Sequence, residues 1–227
     1  MKKLYSDIPP CPDPVSYILV RSREGSYWRK KRGMGSKGAS LNEGFKVSSA
    51  GMAVTAPAAK RIVAKLKPYL DCLVTGRITV RISGQLRKQF NKTGKVDYTF
   101  LKDFDLQPNH PLENLLRLPF TVKVENEVLH IAIPIESQTV KQNSGIISDF
   151  YFEVLLISGD STVENDLRIE GESSNTYPIK PLKQGDCTFH LPLIKYPWFA
   201  ILKVCCIEGN EMAVAARNYG MKIIAVG

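Results

Sequence analysis

The chain is poor in the groups that do chemistry. It has three histidines, His110, His130 and His190. None stands in an H-E-x-x-H or in an H-x-E followed by P-C-x-x-C, and there is no G-x-S-x-G, so the common zinc-hydrolase, deaminase and serine-hydrolase signatures are excluded. The five cysteines, Cys11, Cys72, Cys187, Cys205 and Cys206, are odd in number and lack C-x-x-C spacing. That excludes a disulfide framework and a structural zinc site, and it predicts reduced thiols in a reducing compartment. No run of about 18 apolar residues exists, so no membrane span is expected. Asp7, Pro9, Pro10, Pro12 and Asp13 interrupt the stretch after Met1-Lys2-Lys3, which therefore lacks a signal-peptide core. The expectation is an intracellular, cytoplasmic protein with no membrane partner and no cofactor or metal.

What the chain does have is a globular composition and a lopsided charge. Its 227 residues are 44% hydrophobic and 23% charged, enough to bury a core without staples. The formal net charge is +9. Residues 1–90 carry 18 Lys+Arg against 5 Asp+Glu, a net of +13, and residues 91–227 carry 13 against 17, a net of −4. All the positive excess lies in the first part, which favours an anionic partner.

Periodicity divides the chain. Residues 8–14, Ile-Pro-Pro-Cys-Pro-Asp-Pro, cannot be helical, and residues 1–20 read as an extended arm with a strand near 15–20. Residues 21–40 hold seven cations against Glu24, with four glycines, and read as a flexible basic segment. Residues 47–75 predict a helix capped at Thr55 or Ala56, with Pro57 in its first turn and Gly76 as its stop. On a helical wheel Ala59, Ile62, Val63, Leu66, Tyr69, Leu70 and Leu73 share one arc, and Lys60, Arg61, Lys65 and Lys67 the opposite one. Pro68 must kink or restart this helix. Residues 77–91 predict a second helix, ended by Asn91-Lys92-Thr93-Gly94, with Arg77, Arg81 and Lys88 on a separate stripe. A helical turn follows at 111–116.

From Leu118 the period is two, with Glu125-Asn126 as a turn between the first strands. Strands are expected near 120–124, 129–135, 150–157, 163–170, 175–180, 187–193, 198–207 and 219–226. The 150–157 and 198–207 strands are apolar on both faces and so central in a sheet. The predicted class is α+β, mostly β: a basic amino-terminal arm (1–46), a small helical region (47–117) and an antiparallel β-sandwich (118–227).

The candidate site is electrostatic. Arg21, Arg23, Arg29, Lys30, Lys31, Arg32 and Lys37 can neutralise phosphates, and Tyr27 and Trp28 among them can stack on unpaired bases. Lys60, Arg61 and Lys65 add a basic helix face suited to a phosphate backbone. The competing readings are an arm that packs on a neighbouring subunit through Trp28 and a merely solvated helix face. Gly33-Met34-Gly35-Ser36-Lys37-Gly38 spells G-x-G-x-x-G, but Trp28-Arg29-Lys30-Lys31-Arg32 precedes it instead of an apolar strand, so it is no dinucleotide site. Asp97, Asp103 and Asp105 are the only acids spaced to suggest metal chemistry, with no further ligand placed by spacing. Three functions follow as expectations. The first is a non-enzymatic protein binding DNA or RNA without sequence preference. The second is a structural subunit of a homo-oligomer whose arm packs on a neighbour. The third is an undetected metal-dependent hydrolase.

Overall fold

The computed structural model describes residues 10–11, 13, 15–22, 25–30, 43–117, 119–136, 139–141, 147–179, 185–209 and 211–227. The chain forms two compact units, residues 1–46 and 47–227.

In the first unit, β1 (Tyr17–Ser22) and β2 (Gly25–Lys30) pair antiparallel. Residues 25–30 thus depart from the flexible segment expected there. Aromatic and aliphatic residues stand opposite one another in the register, Leu19 opposite Trp28 and Val20 opposite Tyr27, and outweigh the nearby glycines.

From Val47 on, α1 (Glu43–Leu66) belongs to the second unit; it begins well before the expected cap. Pro57 therefore lies inside the helix. It is exposed there, as are Met52 and Ala53, so water can take up the carbonyl that Pro57 leaves without a donor. Thr55 is buried and its hydroxyl donates to the Gly51 carbonyl at 2.8 Å, so it caps nothing. A 3-10 turn over Lys67–Tyr69 holds Pro68 in its first turn and ends the helix. Gly76 does not stop it; with φ of 60° it sits just before α2 (Ile78–Thr93). Gly94, with φ of 73°, closes α2 by donating its N–H to the Phe90 carbonyl.

Nine strands follow: β3 (Thr121–Glu125), β4 (Val128–Ile135), β5 (Ile147–Ser158), β6 (Arg168–Ser173), β7 (Tyr177–Pro178), β8 (Gly185–Pro192), β9 (Trp198–Glu208), β10 (Glu211–Met212) and β11 (Tyr219–Val226). The architecture is α+β, mostly β, and the described strand pairs are antiparallel. The β3–β4 turn is Asn126-Glu127, one residue later than expected, with both φ positive as a two-residue hairpin of matching twist requires. The expected 163–170 strand starts only at Arg168. Residues 160–166 form a loop in which the Asp160 and Thr162 amides donate to the Asp166 and Asp160 carboxylates.

β5 and β9 form the centre of a six-stranded sheet, flanked by β6 and β7 on one side and by β10 and β11 on the other. Alternation sends Phe150, Phe152, Val154 and Leu156 of β5 into one hydrophobic cluster, shared with Leu129, Ile131 and Ile133 of β4 and Phe189 of β8. The three-stranded sheet β3–β4–β8 thereby packs on one face. Leu155 and Ile157 point the other way, into a second cluster with Phe199, Ile201, Ile62 and Leu66 of α1 and Ile82 and Leu86 of α2. The helices have no core separate from the sheet. Tyr98 closes this second cluster: its ring meets Phe199 edge-on at 4.8 Å and its hydroxyl donates to the Gly159 carbonyl at 2.6 Å. Gly159 has φ of 108°, and a Cβ there would lie 2.5 Å from the Asp166 carbonyl oxygen, so only glycine fits.

Phe199→Ala removes a fully buried ring between sheet and helices and is expected to cost about 3–5 kcal/mol in urea unfolding. Val80→Ala, on the exposed side of α2, should stay within about 0.5 kcal/mol of the parent. Equal midpoints for the two variants would refute this assignment of the core.

Candidate nucleic-acid interface

Two cationic surfaces arise from the local folding, one in each unit. In the β1–β2 ribbon, residues paired across the strands share a face. Ile18, Val20, Tyr27 and Arg29 therefore lie on one side, and Tyr17, Leu19, Trp28 and Lys30 on the other. Tyr27 is 50% exposed and Arg29 and Lys30 are exposed, whereas Trp28 is half-buried. The ribbon thus puts a solvent-facing aromatic ring and a guanidinium on the same side. Arg21 sits opposite Ser26 in the register. Arg23, Lys31, Arg32 and Lys37 lie outside the described residues.

In the second unit the inward stripes of α1 and α2 are consumed by the sheet, which leaves their charges to the outside. From Gly44 to Val96 the chain has eleven Lys+Arg and one acid, Asp71. Lys60, Lys65, Lys67, Arg77, Lys88, Lys92 and Lys95 are all exposed. Arg77, the residue just before α2, and Lys88 and Lys92 within it put exposed cations along the helix over about 22 Å. Lys92 extends the stripe that the sequence reading ended at Lys88; the four-residue spacing from Lys88 was the available signal, hidden by placing the helix end too early. Its ammonium lies 5.8 Å from the centre of the Phe100 ring, which is 37% exposed. Phe100 also lines an open cleft of about 410 Å³ with Arg81, Gln85, Lys102 and Asp103.

Two of the arginines face inward. Arg61 is half-buried, and its Nη1 donates to the carbonyls of Ser161 and Thr162, both at 3.1 Å. Arg81 lies 4.5 Å over the Phe104 ring and donates to the carbonyls of Asp105, Leu106 and Thr75. Burial pulls the Arg81 pKa below its ordinary value, with Asp105 opposing. These guanidiniums tie the helices to the loops at 160–163 and 105–106.

Carboxylates do not cancel the helix charge. Three ion pairs occur among the described residues, Lys195–Asp166, Lys203–Glu153 and Lys222–Glu113, and all fall within residues 113–222. Two of the acids near α2 are engaged in local structure. Asp97 accepts from the Thr99 amide and from Gln89, and Asp105 accepts from the Leu112 amide at 3.1 Å. Burial raises the Asp105 carboxyl above its ordinary range, against the Leu112 amide that lowers it. Among the described residues no three His, Cys, Asp or Glu side chains gather as a metal-holding group. Burial lifts the Cys205 thiol to about 11 and the Cys206 thiol to about 12, so both stay protonated and poorly nucleophilic at neutral pH. No helix among the described residues is long and apolar enough to cross a membrane.

Comparison with known proteins adds no parentage: no family model, no curated protein and no solved structure matches the chain.

Inward and outward cations should separate cleanly by mutation. Arg81→Ala leaves three carbonyls without their donor and is expected to cost about 1–3 kcal/mol in urea unfolding. Lys88→Ala should change stability by no more than about 0.5 kcal/mol. A neutral Arg81→Ala would mean that Arg81 belongs to the exposed stripe after all.

Proposed function

We propose that the protein is a non-enzymatic nucleic-acid-binding protein that grips the phosphate backbone, with the β-layers as its scaffold. One observation carries this reading: seven exposed cations, Lys60, Lys65, Lys67, Arg77, Lys88, Lys92 and Lys95, lie in a stretch whose one acid is Asp71, and no ion pair among the described residues touches them. An unneutralised surface of this kind attracts a polyanion and releases its counterions. Tyr27 beside Arg29 and Phe100 beneath Lys92 add rings on which unpaired bases can stack. Cysteines free of disulfides suit a reducing, cytoplasmic setting.

The test is fluorescence anisotropy on labelled single-stranded and duplex oligonucleotides at several salt concentrations. With four phosphates neutralised on a single strand, log K should fall with log salt at a slope of about −3. Lys88→Glu with Lys92→Glu, and separately Arg29→Glu with Lys30→Glu, should flatten the slope and weaken binding alike for all sequences. An affinity that does not change between about 50 and 200 mM salt overturns the reading.

A second reading, a structural subunit whose arm packs on a neighbour, is favoured by the ribbon itself. Among the described residues β1 and β2 pair with no third strand, and Ile18 and Tyr27 are exposed. A lone two-stranded hairpin is marginal in water, so a covering partner would stabilise it. Light scattering after size exclusion should then give an oligomer that falls to monomer when residues 1–40 are removed. A monomer in both forms rejects it.

A further inference from the structure

The outward face of the three-stranded sheet carries an arrangement that the phosphate-binding reading does not use. β4 and β8 pair so that His130 stands directly opposite His190. Both belong to the face turned away from the core, since Leu129, Ile131, Phe189 and Leu191 occupy the buried alternation. The two Nδ1 atoms approach to 2.7 Å, with ring centres 4.9 Å apart and ring planes 75° apart. His190 is exposed and His130 half-buried, so the pair is open to solvent.

A contact between two ring nitrogens requires at least one bare nitrogen, and shifting the other proton to Nε2 leaves two neutral donors converging on one point. We propose that His130 and His190 form a binding site for a late first-row divalent metal ion, with copper(II) and nickel(II) preferred over zinc. The spacing sets the preference. Two nitrogens about 2.0 Å from an ion and at right angles to each other sit about 2.8 Å apart, whereas tetrahedral ligands sit about 3.3 Å apart. The observed separation matches the tetragonal case, the geometry of copper(II) and nickel(II) with nitrogen and oxygen ligands. Binding an ion breaks the hydrogen bond between the two rings and requires both to turn so that their Nδ1 lone pairs meet at one centre. Two strands fix the register, so the pair is held ready before the ion arrives.

The surroundings set the strength. Lys123 of β3 stands opposite His130 on the other side, and Thr121, Glu125, Val128, Ala132, Thr188 and Pro192 occupy the adjacent register positions. The Lys123 ammonium opposes a dication, and no carboxylate stands directly opposite either ring. The remaining coordination positions are filled by water.

The experiment uses the full chain with its exposed thiols alkylated, titrated with nickel chloride by calorimetry and with substoichiometric copper chloride by electron paramagnetic resonance. The expected result is one equivalent bound and a copper spectrum coupled to two nitrogens. His130→Ala and His190→Ala should each weaken binding at least tenfold while leaving the metal-free melting temperature unchanged. Lys123→Glu keeps both rings, removes the opposing charge and supplies a carboxylate opposite His130, so it should tighten binding at least tenfold. The proposal is overturned if the double alanine variant gives the parent titration and spectrum, or if Lys123→Glu leaves the affinity unchanged.

Discussion

Everything else in the second unit depends on the fact that β5 and β9 are apolar on both faces. A strand with Val154 and Leu156 on one side and Leu155 and Ile157 on the other cannot face water anywhere along that stretch. Two covers are required, and they differ in kind. The three-stranded sheet supplies alternating residues from β4 and β8, and α1 and α2 supply the stripes Ile62–Leu66 and Ile82–Leu86. Burial of a large aliphatic side chain contributes about 1.5–3 kcal/mol, so several such contacts per helix far exceed intrinsic helix propensity. The same excess explains why Pro57 and Gly84 are tolerated within helices.

Charge follows from the covering. Once the inner stripe of each helix is fixed by the sheet, its lysines are left outward, while Arg61 and Arg81 turn onto backbone carbonyls. The acids, by contrast, lie mostly after residue 90, where three of them, Glu113, Glu153 and Asp166, pair with lysines among the described residues. Lys203 is almost fully buried and survives there because Glu153 stands opposite it in the register at 3.0 Å. Segregation of sign along the sequence thus becomes segregation in the fold.

Much of the fold was legible in the sequence because its signals are periodic. The last strand was read to the residue at 219–226, since an apolar run bounded by turn chemistry leaves little choice. The second helix was also legible, although Ile78, Val80 and Ile82 alternate like a strand, because the four-residue stripe extends further. What was missed depends on contacts that no local window contains. The helix was expected within residues 47–75 with its cap at Thr55 or Ala56, and α1 begins earlier, at Glu43, and runs through Pro57. The strand expected near 15–20 is β1, but its partner β2 was hidden by glycines on either side of a short aromatic alternation. The helices were assigned a region of their own because a composition shift marks charge, and the core they share with the sheet is invisible to composition. The His130–His190 pair was out of reach for the same reason: it exists only once β4 and β8 are in register.

The inward turn of Arg61 and Arg81 bears on what kind of recognition the surface can perform. A guanidinium presents a rigid fork of donors and is the side chain suited to bidentate contacts with a guanine edge. On the helices two such forks are spent on backbone carbonyls. The exposed cations left are mainly lysines, Lys60, Lys65, Lys67, Lys88, Lys92 and Lys95, with Arg77. Lysines act as flexible point charges that follow phosphates and read no base. On the helical part, the proposed function then leaves discrimination to the exposed Phe100 ring, which could stack on an unpaired base but finds no access inside a duplex. The proposal therefore expects this part to prefer single strands over duplex and to distinguish sequences poorly, because of which cations the fold used up internally.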